Sequence, residues 1–133
     1  MYIIVIIIIL FVAALAYVRL APSAPDRWHK PVDATTSSDR MGGAIRVLST
    51  DEGALARVDA AARALPRTTV LAGSVEEGRI TYVTRSKVIG FPDYTTVEYN
   101  DGLLRMYARL RFGRSDFGVN ADRLQRLLTA AER

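Results

Sequence analysis

The stretch from Thr95 to Leu110, TTVEYNDGLLRMYARL, decides the fold of this chain. Asp101 and Gly102 at its centre predict a two-residue type I′ hairpin, because both central residues of that turn need a positive φ. The register that follows pairs Asn100 with Leu103, Tyr99 with Leu104, Glu98 with Arg105, Val97 with Met106, Thr96 with Tyr107, Thr95 with Ala108 and Tyr94 with Arg109. A slip of one residue would set Val97 against Arg105 and scatter the apolar face, so this register is strongly favoured.

A second turn is predicted at Pro92-Asp93, after a strand that runs from Arg79 to Phe91. This turn would place Val88 beside Val97 and Lys87 beside Glu98. One face of the resulting sheet is apolar: Ile80, Tyr82, Val88, Val97, Tyr99, Leu104, Met106, Leu110 and Phe112. The other face is basic and aromatic and is expected to be open: Arg79, Arg85, Lys87, Arg105, Arg109 and Arg111 with Phe91, Tyr94 and Tyr107.

The flanking segments complete an α+β domain. Strands are predicted at 44–49 and 68–73. Ser49 and Glu52 have the spacing of a capping box and predict the start of a helix that Pro66 ends. Asn120 is expected to cap a second helix. The buried stripes of the two helices are Leu55, Val58, Ala62 and Leu65, and Leu124, Leu127, Leu128 and Ala131. The element order is β-α-β-β-β-β-α, a small antiparallel sheet with both helices on its apolar face.

Residues 1–21 predict a transmembrane helix ahead of this domain. The run MYIIVIIIILFVAALAYVRLA has no charged side chain before Arg19. A bilayer core of roughly 30 Å needs about 20 apolar helical residues. A cleaved signal peptide is the alternative, but it would carry a basic segment before its apolar run, and none is present here. An uncleaved single-pass anchor is therefore favoured, with Tyr2 and Tyr17 at the two interfaces.

Residues 22–43 have the composition of a linker between this anchor and a domain at 44–133. They contain three of the five prolines, a Ser/Thr cluster and a glycine pair. Arg19, Arg27 and Lys30 follow the span, so the positive-inside rule places the domain in the cytoplasm. The chain has no cysteine, which excludes disulfides and thiolate chemistry, and its one histidine is His29. A net charge of only +4 beside an anchor argues against nucleic acid as a partner.

The segment RFGRSDFGVNADR, residues 111–123, is the most polar candidate site. Turn formation and helix capping explain its glycines, aspartates and asparagine. The surplus is arginine: Arg111, Arg114, Arg123 and Arg126 surround the start of a helix, where free backbone N–H groups favour anions.

Two motifs resemble a known family. The run RSKVIGFPDYTTVEY, followed by GLLRMYARLRFGRSDFGVNADRLQRLL, resembles the C-terminal signature of the domain-of-unknown-function family numbered 1499. The matching positions are Gly90, Phe91, Asp93, Arg111, Gly113, Ser115, Asp116, Gly118, Val119, Asn120 and Arg123. The resemblance implies a small extramembrane domain with a membrane or lipoprotein anchor in a bacterial inner membrane, and no assigned reaction. Export signals in relatives favour the opposite side of the membrane from the charge rule.

Three function classes follow. The favoured one is a non-catalytic, membrane-tethered binding or assembly module, such as an accessory subunit of an inner-membrane complex. The second is a binder of an anionic small molecule or lipid headgroup, since guanidinium groups match phosphate and carboxylate. The third is an enzyme using Asp93, Glu98 or Asp116, which the cross-strand pairing of Glu98 disfavours. No cofactor or metal is expected. The candidate binding residues are Arg85, Lys87, Asp93, Arg105, Arg109, Arg111, Arg114, Asp116, Asn120 and Arg123.

Overall fold

The computed structural model describes residues 1–133 and has the α+β architecture that the sequence predicts. Its elements are α1 (Tyr2–Leu20), α2 (Pro25–Trp28), β1 (Ser38–Arg40), β2 (Gly43–Ser49), α3 (Ala54–Arg63), β3 (Thr68–Ser74), β4 (Arg79–Arg85), β5 (Pro92–Asn100), β6 (Leu103–Leu110) and α4 (Val119–Ala131). The six strands form one sheet in the order β1-β2-β6-β5-β4-β3, and every neighbouring pair is antiparallel.

The β5–β6 hairpin has the predicted register along its whole length, from Asn100 opposite Leu103 to Tyr94 opposite Arg109. Its turn residues Asp101 and Gly102 have φ values of 53° and 76°, as a type I′ turn requires. The Asp-Gly signal therefore fixed the centre of the sheet correctly.

The predicted turn at Pro92-Asp93 is wrong. β4 ends at Arg85, which pairs with Pro92, so that Ile80 lies opposite Val97 and Arg79 lies opposite Glu98. The chain between the strands forms the loop 86–91, in which the Ser86 hydroxyl accepts hydrogen bonds from the backbone N–H groups of Gly90 and Phe91. Val88 is exposed in this loop and Lys87 has no place opposite Glu98. The shift is an even number of residues, so the predicted faces of β4 are unchanged.

One face of the sheet packs against α3 and α4 and holds the main core. This core joins residues of the sheet, Ala44, Ile80, Tyr82, Val97, Leu104, Met106 and Ala108, to residues of the helices, Ala54, Leu55, Val58, Ala62, Leu124, Leu127 and Ala131. Tyr82 reaches through it to donate a hydrogen bond of 2.6 Å to the Asp59 carboxylate. Burial, together with this bond, raises the pKa of Tyr82.

At both helix starts an upstream aspartate, rather than the predicted capping residue, accepts the backbone N–H groups. α3 begins at Ala54, and the Asp51 carboxylate accepts the Gly53 N–H at 2.9 Å, so the predicted capping box of Ser49 and Glu52 is absent. α4 begins at Val119, one residue before the predicted cap at Asn120. In each case an upstream carboxylate satisfies backbone N–H groups that the helix start leaves free.

The other face of the sheet is covered by residues 22–37, called the strap below. This segment falls within the predicted linker, yet it lies against the sheet. Trp28 is buried and stacks on Tyr94, with ring centroids 3.8 Å apart and planes 10° from parallel. The Val32 N–H donates to the Glu98 carboxylate at 2.9 Å, and β1 follows, paired with β2. The expectation of an open basic and aromatic face is therefore wrong.

Candidate functional site

Three of the predicted binding arginines hold the strap. Arg105 donates to the Ala34 carbonyl at 2.9 Å, Arg109 to the Trp28 carbonyl at 2.6 Å and Arg111 to the Pro22 carbonyl at 3.0 Å. Burial lowers the pKa of Arg109 to about 10. These guanidinium groups satisfy carbonyls of a segment that is mostly irregular, so they do not form a free binding surface.

Four other candidates meet at a cleft at the end of the sheet that lies next to α1. The cleft has a volume of about 510 Å³ and is bounded by the loop 86–91, the loop 113–118 and the start of α4. Its lining residues are Arg67, Thr84, Arg85, Ser86, Phe91, Asp93, Leu110, Phe112, Gly113, Ser115, Asp116, Phe117, Val119 and Arg123. Arg85, Asp93, Asp116 and Arg123, which come from four different places in the sequence, are brought together here.

Asp116 builds the start of α4 and so shapes one wall of the cleft. Its carboxylate accepts the N–H groups of Gly118 at 2.9 Å and Asn120 at 3.2 Å. Gly118 has a φ of 82°, a conformation that glycine adopts without strain. Asp116 therefore has a structural role, and both of its oxygens are already engaged.

Asp93 and Arg123 form a mostly buried ion pair at the base of the cleft. Their nearest oxygen and nitrogen atoms are 3.5 Å apart, and the side chains are 17% and 12% exposed. Burial raises the pKa of Asp93 and lowers that of Arg123, although each charge favours the other. Arg123 also donates to the amide oxygen of Asn120, a fully buried residue whose NH₂ group has no hydrogen-bond partner.

Arg67 is the cleft cation that the sequence did not reveal. It has a φ of 54°, and its Nε donates to the Arg85 carbonyl at 2.9 Å. Arg85 in turn donates from one terminal nitrogen to the Gly90 carbonyl at 2.9 Å. Each guanidinium keeps N–H groups without a protein acceptor. Arg67 follows Pro66, which predicted only the end of a helix, so no sequence signal connected it to the site.

The residues of the two family motifs thus meet in space: Phe91 and Asp93 lie beside Gly113, Ser115, Asp116, Val119 and Arg123 around one cleft. A family model described as "Protein of unknown function (DUF1499)" matches residues 18–130. The chain belongs to the DUF1499 family. No curated protein matches it. The matched range begins at Val18 and so includes the strap as well as the cleft.

Lys87 and Arg114, the remaining candidates, lie apart from the cleft of this DUF1499 domain. Lys87 is exposed in the loop 86–91 and borders a separate pocket that Arg19 also lines. Arg114 is exposed, and its side chain makes no hydrogen bond or ion pair in the structure. Both add positive charge near the cleft without lining it.

The carboxylates considered for catalysis are separated by the sheet. Glu98 lies under the strap, bound to Arg79 at 2.8 Å and to the Val32 N–H, whereas Asp93 and Asp116 lie at the cleft. No group of three or more His, Asp or Glu side chains is placed to hold a metal ion. The DUF1499 cleft is thus lined by cations, hydroxyls and aromatic rings, with its two carboxylates already bonded.

The end of α1 contacts one wall of the cleft. Arg19 donates from Nε to the Ile89 carbonyl and from Nη2 to the Val88 carbonyl, both at 2.9 Å. The rings of Tyr17 and Phe112 pack edge to face with centroids 6.1 Å apart, and the ring centroids of Phe112 and Phe91 are 6.4 Å apart. α1 itself has 19 residues, none of them buried, and is long and apolar enough to cross a membrane.

Proposed function

We propose that this DUF1499 protein is a membrane-tethered, non-catalytic module that binds an anionic ligand in the cleft between the loops 86–91 and 113–118. The observation that carries this proposal is the convergence of Arg67, Arg85 and Arg123 on one cleft. Guanidinium groups with spare N–H donors bind phosphate or carboxylate through paired, charge-assisted hydrogen bonds.

Two hydroxyl groups in the cleft support the same ligand class. The Ser86 oxygen accepts two backbone N–H groups, and the Ser115 oxygen accepts the N–H of Phe117 at 3.2 Å. Because both oxygens act as acceptors toward the protein, their own hydrogens remain available to donate. The donors of the cleft therefore outnumber its free acceptors, which suits an anion.

The anchoring part of the proposal is supported by α1. A helix of its length and composition spans a bilayer, and the positive charges that follow it favour a cytoplasmic domain at a bacterial inner membrane. The contacts of Arg19 with the loop 86–91 hold the domain against the end of that helix. The ligand would thus be held beside the membrane.

Thermal unfolding in neutral detergent tests ligand binding. The full chain is titrated with inorganic phosphate, and with sodium chloride at the same ionic strength as a control for general screening. Phosphate is expected to raise the Tm beyond the chloride effect, because a ligand that binds only the folded state stabilises it.

Arg67→Gln removes one cleft cation whose side chain is exposed, and Arg114→Gln is the matched control outside the cleft. The phosphate effect should fall in the first variant and persist in the second. Equal phosphate effects in both variants, or none beyond chloride in the unmodified chain, would overturn the proposal.

A further inference from the structure

We infer that the anion is the headgroup phosphate of an anionic membrane lipid, which enters the cleft from the bilayer interface. This inference rests on the anion-binding function proposed above and adds the source of the ligand. It follows from the depth at which α1 holds the cleft, from the exposed apolar side chains on the two loops that bound the cleft and from the charges beside them.

The depth comes from the length of α1. Its 19 residues extend over about 28 Å at about 1.5 Å per residue, which is close to the hydrocarbon thickness of roughly 30 Å. The last turn of the helix, with Tyr17 and Arg19, must therefore lie at the bilayer interface. Any part of the domain that packs directly on that turn lies at the same level.

The loop 86–91 packs on that turn. Arg19 would ordinarily direct its guanidinium to lipid phosphates, but here it binds the carbonyls of Val88 and Ile89. Gly90 suits this approach, since it has a φ of 83° and a Cβ at that position would lie 3.0 Å from the Arg19 Nε. Phe112, on the cleft wall, contacts Tyr17 in the same turn. The cleft is thereby held at headgroup depth.

The two loops that bound the cleft carry exposed apolar side chains. Val88 in the loop 86–91 is 81% exposed, and Phe117 in the loop 113–118 is 94% exposed. Each lies within three residues of an exposed cation, Lys87 or Arg114. Apolar side chains beside cations are typical of surfaces that bind the interface of an anionic bilayer. With both loops in the interface, the cleft between them opens among the headgroups.

The position of the loops is tested by fluorescence, which the absence of native cysteine makes straightforward. Val88→Cys, Phe117→Cys and, at the opposite end of the sheet, Glu76→Cys are each labelled with the environment-sensitive fluorophore NBD. The full chain is then reconstituted in phosphatidylcholine–phosphatidylglycerol vesicles that contain brominated acyl chains. Bromine is expected to quench the label at positions 88 and 117 but not at 76. Equal quenching at all three positions, or none at 88 and 117, would overturn the inference.

The source of the phosphate is tested by native mass spectrometry of the full chain in neutral detergent. With added phosphatidylglycerol we expect a retained adduct of one lipid, weakened about tenfold by Arg67→Gln, a change equivalent to about 1.4 kcal/mol. Arg133→Gln, at an exposed arginine just after the end of α4 that lies away from the cleft, should leave the adduct unchanged. Phosphatidylcholine should be retained less. If inorganic phosphate raises the Tm but phosphatidylglycerol is not retained, the anion-binding function stands and the lipid inference is wrong. If neither binds, both fail.

Discussion

The two faces of the sheet are both buried, but by different means. The helix face is covered by α3 and α4, and apolar side chains from both sides of this contact, such as Val97 of β5 and Leu124 of α4, are completely buried. The strap face is covered by a segment of mostly irregular backbone, held by arginine donors and one stacked pair, Trp28 on Tyr94. Apolar packing needs only a pattern, whereas the strap needs individual donors matched to individual carbonyls.

The comparison explains why basic residues alone did not identify the proposed binding cleft. Arg105, Arg109 and Arg111 repeat along β6 and beyond it, and they satisfy backbone groups of the strap. Arg67, Arg85 and Arg123 do not form a sequence pattern, and they meet at the cleft. Arginines at regular spacing on one strand are structural here, and those scattered in sequence line the candidate site.

The largest expected effect is that of Val97→Asp, which puts a charge into the helix-face core. We expect the domain to lose several kcal/mol of stability and to unfold, as measured by urea denaturation in neutral detergent. Thr96→Asp, one residue away on the strap face, should also be strongly destabilising, because Thr96 is buried and bonded to Thr81, Trp28 and Arg109. A change within about 0.5 kcal/mol, as at an open surface, would show that the strap does not cover this face.

Trp28→Ala removes the aromatic contact that anchors the strap. The cost should lie near the lower end of the range of about 3 to 5 kcal/mol for such truncations, because the strap lies at the surface and can relax. Relative to the unmodified chain, hydrogen exchange in the variant should be accelerated more at the Val32 amide, in the strap, than at the Val58 amide, in α3. Equal acceleration at both amides would mean that the strap and the helix face unfold together.

Arg109→Met keeps the aliphatic stem but removes the donors to Trp28 and Thr96. Hydrogen bonds from a charged group contribute about 1.5 to 3 kcal/mol, and we expect a loss of stability in that range. Unchanged stability in urea titrations, with Trp28 still shielded from fluorescence quenchers, would indicate that stacking alone holds the strap.

Asp116→Ala tests the helix layer where it borders the cleft. Loss of a helix-capping carboxylate should cost about 0.5 to 2 kcal/mol in chemical denaturation. Asn120→Ala is the comparison, because it removes the buried amide that binds Arg123 and leaves the Asp116 carboxylate in place. A smaller loss of stability in Asp116→Ala than in Asn120→Ala would show that the buried amide matters more than the capping carboxylate.

The smallest effect concerns the pH dependence that Asp93 contributes. Because burial raises its pKa, the folded state holds this proton more tightly than the unfolded chain does. The contribution of Asp93 therefore favours folding at low pH and is lost as the pH rises through the raised pKa. Asp93→Asn removes this dependence, so the variant should gain stability relative to the unmodified chain between acidic and neutral pH. A constant difference across that range in urea titrations would contradict the shift.

The sequence predicted the parts of the fold that depend on periodicity and turn chemistry. The Asp101-Gly102 turn predicted the register of β5 and β6, and the alternation of apolar and polar residues along the strands predicted most of the helix-face core. It did not predict the end of β4, because two backbone N–H groups bound by the Ser86 hydroxyl create a turn that the Pro92-Asp93 signal obscured. The packing of the strap on the sheet was not predicted for a related reason: a segment rich in proline and serine shows no hydrophobic period, even where Trp28 is buried.

About half of the candidate binding residues line or adjoin the cleft. Asp93, Asp116, Asn120 and Arg123 were found because they belong to two short motifs, which the fold brings together. Arg67 was missed because its contribution depends on β3 pairing with β4, a tertiary relation that no local pattern indicates.

The order of strands in the sheet has a consequence for folding kinetics. β3 to β6 pair with their sequence neighbours, but β2 pairs with β6 across about sixty residues, and the strap needs β4, β5 and β6 already in place. Closing so long a loop is slow, because its entropy is lost before the contacts form. The four-stranded meander should therefore assemble first, and β2 should dock only once β6 is made. The strap, which directly follows α1 and is synthesised early, would then be among the last parts of the domain to become ordered.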